Sequence, residues 1–123
     1  MHKGSCLCGG VKFEIKGEVR EVVACHCSQC RKISGHFWAA TQVDTENLIL
    51  KSDETLSWFR SSGTARRAFC DHCGSTLFWQ QDGEGKTSIS AGAFDEGELK
   101  TSKHIYVKDK GQYYDIEPGV EQL

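Results

Sequence analysis

Seven cysteines in a chain of 123 residues fall into three tight groups: Cys6-Leu7-Cys8, Cys25-His26-Cys27-Ser28-Gln29-Cys30, and Cys70-Asp71-His72-Cys73. An odd number cannot pair off completely in disulfides. In a reducing compartment thiols stay reduced, so grouped cysteines point to metal binding or catalysis. Two residues between cysteines let a tight turn bring both sulfurs onto one metal. A single intervening residue does the same in an extended segment, where alternate side chains share a side.

The remaining composition is that of an ordinary globular chain, with 38% hydrophobic and 26% charged residues. One proline and dispersed glycines mark no linker, so a single domain over residues 1–123 is expected. The formal net charge is −2 and the sequence pI about 6.2. Loading seven thiolates with two Zn²⁺ would take the charge to about −5, which disfavours nucleic acid and anionic membranes as partners. Met1 to Gly10 contains no apolar signal-peptide core, and no apolar run is long enough to span a bilayer. A cytoplasmic protein is the expectation.

Hydrophobic residues recur at every second position: Val11, Phe13 and Ile15, then Leu48 and Leu50, then Leu56 and Trp58. Further strands are predicted over Glu18 to Val23, Phe37 to Val43, Ala65 to Phe69, Ser75 to Gln80, Lys86 to Ser90 and Ile105 to Val107. Short helical pieces are expected only at Ser28 to Ser34 and around Asp95 to Leu99. The predicted class is all-β, built from many short antiparallel strands with metal sites pinning the loops.

Cys70 and Cys73, followed by Gly74, form a metal knuckle, and Cys6 with Cys8 supplies the two further ligands that a tetrahedral four-sulfur site needs. Cys25, Cys27 and Cys30 then remain as a three-ligand group with an open position, the pattern of catalytic rather than structural zinc. Spacing alone leaves a second partition open, with Cys27, Cys30, Cys70 and Cys73 in one site and Cys6, Cys8 and Cys25 in the other.

The run Gly4-Ser5-Cys6-Leu7-Cys8-Gly9-Gly10-Val11, the segment Cys25 to Lys32 with Ser34-Gly35 after it, and Phe69-Cys70-Asp71-His72-Cys73-Gly74-Ser75 resemble the glutathione-dependent formaldehyde-activating enzyme family. The tail His104-Ile105-Tyr106-Val107 with Lys110 also looks like the family's closing segment, with Tyr113 and Tyr114 where members often carry tryptophan. The resemblance implies a β-tent fold with two zinc ions. It implies that Cys6, Cys8, Cys70 and Cys73 hold structural zinc and that Cys25, Cys27 and Cys30 hold catalytic zinc. It further implies a carbon-sulfur lyase activity resembling S-(hydroxymethyl)glutathione synthase, acting on glutathione or a similar thiol and an aldehyde.

An open zinc position binds a thiol and strips its proton, which makes a nucleophile for an aldehyde carbon or, in reverse, a leaving group. A proton carrier is needed, and His26 and His36 are the nearest histidines in sequence. His26, flanked by ligands on both sides, is expected to point away from the metal unless it serves that role. Arg31 and Lys32 are candidates for holding the carboxylates of a glutathione-like substrate. The competing function is a non-catalytic two-zinc interaction module, in which His26 or His36 would close the second site. The residues do not specify the thiol, the aldehyde or the direction of reaction.

Overall fold

The structure, a computed structural model covering residues 1–123, is built from two sheets and one short helix. Strands β1 (His2–Ser5), β2 (Lys12–Ile15) and β5 (Leu48–Ser52) form a three-stranded antiparallel sheet in the order β1-β2-β5. The second sheet contains β3 (Val22–Cys25), β4 (Trp38–Asp44), β6 (Leu56–Arg60), β7 (Ala65–Cys70), β8 (Thr76–Gln81), β9 (Lys86–Ser90), β10 (Thr101–Ile105) and β11 (Glu121–Gln122). Its order is β11-β10-β3-β4-β9-β8-β7-β6. Helix α1 (Ser28–Ser34) lies between β3 and β4, as its sequence predicts.

Alternation sorts this large sheet into two working faces. On one face Ala68, Phe78, Ile89 and Val43 join Phe13, Ile15 and Val11 in the main core, together with Cys6 and Cys70. Phe13 is fully buried between the sheets and meets Phe78 and Phe94 edge to face, at centroid distances of 5.6 and 5.5 Å. Burying a side chain of this size contributes about 1.5–3 kcal/mol. On the other face Cys25 pairs with Trp38, Val23 with Ala40, Gln42 with Ser88, Ser88 with Trp79, Arg67 with Trp79 and Ala65 with Gln81. These residues line a cleft.

Four expectations need correction, one being that the strand predicted over Glu18 to Val23 begins only at Val22 and runs on to Cys25. The sheets are not wholly antiparallel, because β10 runs parallel to both β3 and β11. The chain crosses from β9 and returns beside β3, which brings His104 opposite Ala24 and Ile105 opposite Cys25. No helix forms around Asp95 to Leu99; the segment is irregular, and Gly97 takes a positive φ of 124°. The strand expected at Ile105 to Val107 ends instead at Ile105, since Tyr106 turns left-handed with φ 54° and a 3₁₀ turn, Val107–Asp109, follows.

Gly4 shows how closely the N-terminal hairpin packs. A Cβ there would collide with the Phe13 ring and the Ala93 carbonyl oxygen. Gly4→Ala is expected to destabilise the fold by roughly 1–3 kcal/mol, read as a lower melting temperature with the metal content unchanged.

Candidate metal centres and cleft

The first cysteine cluster sits where the two sheets meet. Cys6 and Cys8 belong to the β1–β2 loop, Cys70 ends β7, and Cys73 lies in the turn before β8. Their four sulfurs lie within 4.8 Å of one another, with Cys6 Sγ to Cys8 Sγ at 3.6 Å and Cys8 Sγ to Cys70 Sγ at 3.7 Å. A zinc bound to four sulfurs at 2.3 Å gives tetrahedral edges of about 3.8 Å, so the spacing fits that ion.

The local backbone is shaped for thiolates. The amides of Val11, Gly10 and Cys73 donate to the sulfurs of Cys6, Cys8 and Cys70 at 3.3, 3.4 and 3.5 Å. Gly74, at φ 82°, closes the turn and donates its N–H to the Cys70 carbonyl at 2.8 Å. The Ser75 hydroxyl, 3.2 Å from Cys73 Sγ, leads the hydrogen bonds that hold the Cys73 thiol down to about 5. Hydrogen-bond donors that favour the charged form lower a pKa, and a charged thiolate is the metal-ligating form.

The second cluster stands at the edge of the cleft. Cys25 ends β3, Cys27 is the N-cap of α1, and Cys30 is buried in the helix. The Cys30 N–H donates to Cys27 Sγ at 3.4 Å. The three sulfurs lie within 4.8 Å of one another, and no histidine or carboxylate joins them. The other partition of the cysteines is therefore not what the fold builds: Cys27 and Cys30 are grouped with Cys25, and Cys70 and Cys73 with Cys6 and Cys8. A hydrogen bond from Cys30, aided by the Cys27 N–H and by Arg67, holds the Cys25 thiol down to about 6. The same sharing with Cys25, together with burial, pushes Cys30 up.

Cys25, Cys27 and Cys30 open onto a cleft of about 520 Å³, within the range of small-molecule sites. Trp38, Trp79, Val23, Ala40, Ile105 and Tyr106 give it apolar walls, and Gln42, Gln81, Arg20 and Arg67 supply polar groups. Arg67 was not singled out by the sequence. Its residue is only 5% exposed, its Nη2 lies 3.7 Å from Cys30 Sγ, and its Nε and Nη2 both donate to Gln29 Oε1 at 3.3 Å. Arg31 and Lys32, the candidates from sequence, are carried by α1 and do not line the cleft.

His26 also lies outside the cleft lining. The β3–α1 loop sends Cys25 and Cys27 toward the cleft, while His26 is wholly buried and hydrogen-bonded at both ring nitrogens. Nδ1 pairs with Tyr114 Oη at 2.8 Å and Nε2 with His104 Nδ1 at 2.8 Å; His104 Nε2 then reaches Glu117 Oε1 at 3.1 Å. Burial pushes His26 below the ordinary histidine range, and the neighbouring His104, His36 and Lys110 act in the same direction. His36 is exposed and packs against Phe37 and Tyr114, at 4.3 Å to each ring, and His72 is exposed at the β7–β8 turn.

Glu117 ends this chain of hydrogen bonds. Its own backbone N–H and the His104 ring hold its carboxyl below the usual range. A depressed folded pKa means that stability is present above the unfolded value and is lost as pH falls through the folded one. Glu117→Gln is therefore expected to lower the melting temperature slightly at neutral pH. The difference should shrink as pH falls below the ordinary glutamate range and vanish only once the depressed folded pKa of wild-type Glu117 has been passed. Melting curves of both proteins across pH check this.

A family model described as glutathione-dependent formaldehyde-activating enzyme matches residues 1–109. The chain belongs to that family. A Schizosaccharomyces pombe protein described as an uncharacterized lyase is 30% identical over 118 residues, covering 94% of this chain and 85% of the yeast protein. A crystal structure of a Rhodobacter sphaeroides protein superposes with a TM-score of 0.63 at 23% identity, over 80% of this chain and 98% of that one, a likeness of fold. The stretch matched to the formaldehyde-activating enzyme family contains all seven cysteines, Arg67, His26 and His104. Tyr114 and Glu117, which complete the histidine chain in this family member, lie beyond it.

No helix of the protein is long and apolar enough to cross a membrane.

Proposed function

We propose that this chain is a zinc-dependent carbon-sulfur lyase that makes or cleaves the hemithioacetal between a glutathione-like thiol and an aldehyde. The observation that carries the reading is the contrast between the two clusters. Four sulfurs join the sheets at one, whereas at the other three sulfurs face an open cleft with no fourth side chain to complete the set. The family match and the lyase description of the yeast relative point to the same class of chemistry. We assign zinc to both clusters and catalysis to the Cys25, Cys27 and Cys30 cluster. The arrangement of the two sheets on one core is what we equate with the β-tent.

When bound at the three-cysteine cluster, zinc would supply a site at which a substrate thiol loses its proton near neutral pH. The protein's own groups do the rest. Cys25, Cys27 and Cys30 fix the reacting centre in the cleft, and Trp38 and Trp79 give it apolar walls. Arg67 places positive charge beside Cys30 and offsets the charge of the thiolates. His26, locked between Tyr114 and His104, orients the loop that carries Cys25 and Cys27; in our reading it is a positioning residue, and water exchanges the proton. Arg31 and Lys32, outside the cleft, are left to long-range attraction of an anionic thiol.

The reading is tested by following cleavage of the glutathione–formaldehyde adduct, with a carbonyl reagent trapping the released aldehyde. Wild-type protein should accelerate release well beyond buffer at equal thiol concentration. Equal rates with and without the protein, at full zinc occupancy, would leave the two-zinc interaction module as the better account.

A further inference from the structure

Arg67 is a buried charge that the sequence offers no reason to notice. It lies on the cleft face of β7, opposite Trp79, and its guanidinium sits 5.5 Å from the Trp38 ring centroid. Two of its three nitrogens are accounted for by Gln29 and Cys30. The third, Nη1, is buried and has no hydrogen-bond partner. An unsatisfied buried donor is costly, and more so when charged, so it calls for an explanation. Nη1 belongs to the same guanidinium fork whose Nη2 touches the Cys30 sulfur, on a residue that lines the cleft. A rigid, permanently charged fork at that place suits an oxygen carrying negative charge.

We propose that Arg67 is the oxyanion-binding group of this cleft, its Nη1 donating to the oxygen on the carbon that reacts at the Cys25, Cys27 and Cys30 cluster. This rests on the lyase reading above and adds a residue and a role to it. In the synthetic direction the thiolate sulfur forms a bond to the aldehyde carbon, and the carbonyl π pair moves onto oxygen. Arg67 stays protonated and holds that alkoxide until water delivers the proton. In the reverse direction the hydroxyl proton leaves to water, the oxygen pair re-forms the carbonyl, and the C–S bond breaks with its electrons on sulfur. No oxidant or reductant is required. The group acts where charge develops, so it favours the transition state over the bound substrates.

The same charge neutralises the cluster's thiolates, and the two roles must be separated. Arg67→Lys keeps the charge and loses the fork, whereas Arg67→Met keeps the aliphatic stem and loses both. Zinc per chain and the melting temperature are measured for each, then kcat and KM for adduct cleavage, then binding of formate, a small planar oxyanion, by calorimetry. We expect both variants to stay folded with wild-type zinc. Arg67→Met should lose about 10²-fold in kcat with the KM for the adduct within about twofold. Formate affinity should fall at least about tenfold in Arg67→Met, with Arg67→Lys intermediate in both readouts. A rise in KM at unchanged kcat would overturn the proposal in favour of an anchor for a remote carboxylate. Activity lost in proportion to zinc would overturn it in favour of a structural counter-ion. If wild-type protein cleaves no adduct, the lyase reading fails by itself, and formate still decides Arg67: equal affinity in wild type and Arg67→Met sinks the assignment.

Discussion

Cys70→Ser is expected to abolish folding at ordinary temperature. Cys70 is fully buried in the main core, and its sulfur lies 3.7 Å from that of Cys8 in the β1–β2 loop of the other sheet's hairpin. The four-sulfur cluster thus ties the β1–β2 loop to the β7–β8 turn, a link between residues far apart in sequence. Structural zinc in small domains contributes on the order of 10–16 kcal/mol of apparent binding energy, and that energy is folding energy. A domain of this size is stable by only about 5–15 kcal/mol in all. Losing one ligand leaves a buried hydroxyl and a weakened site, so circular dichroism should show no cooperative transition and zinc per chain should fall. A variant that melts within a few degrees of wild type with one zinc missing would show that packing of Phe13 and Phe78 suffices without this site.

Cys27→Ser is expected to show the opposite profile, with the proposed activity lost and the fold kept. Cys27 caps α1 with φ −63° and ψ 163°, its sulfur accepting the Cys30 N–H. Serine is among the favoured N-cap residues, so the helix start survives the exchange. What disappears is one of three sulfurs facing the cleft. The melting temperature should move by only a few degrees, zinc per chain should fall by about one, and adduct cleavage should drop to the uncatalysed rate. Equal unfolding of Cys27→Ser and Cys70→Ser would mean that both clusters are structural.

The contrast between these two substitutions was legible in the sequence only as far as spacing reaches. Cys70 and Cys73 with Gly74 announce a knuckle, and Val11, Phe13 and Ile15 announce a strand with one buried face. Which cysteine pairs share a site was not readable from spacing, because that depends on the β1–β2 loop folding against the β7–β8 turn; the family resemblance alone implied the grouping that the fold builds. Arg67 was hidden for a related reason. It follows Arg66 inside an expected strand, and alternation says that one of the two faces each way without saying which face carries the cleft. In the fold Arg66 lies 3.9 Å from the Trp58 ring centroid and bonds Gln80, while Arg67 turns to Cys30. The partners of His26 were equally out of reach. His104 arrives by the parallel crossover, and Tyr114 and Glu117 come from a tail with no hydrophobic period to mark its path.

The central claim is that the Cys25, Cys27 and Cys30 cluster keeps a coordination position for a substrate thiol while the Cys6, Cys8, Cys70 and Cys73 cluster does not. Cobalt substitution followed by titration with glutathione tests it most directly, since the charge-transfer and d–d bands of cobalt report the number of sulfur ligands. The account predicts that glutathione changes the bands of wild-type protein at one metal per chain and leaves those of folded Cys27→Ser untouched. Bands that glutathione does not alter in wild-type protein with both sites filled would contradict it.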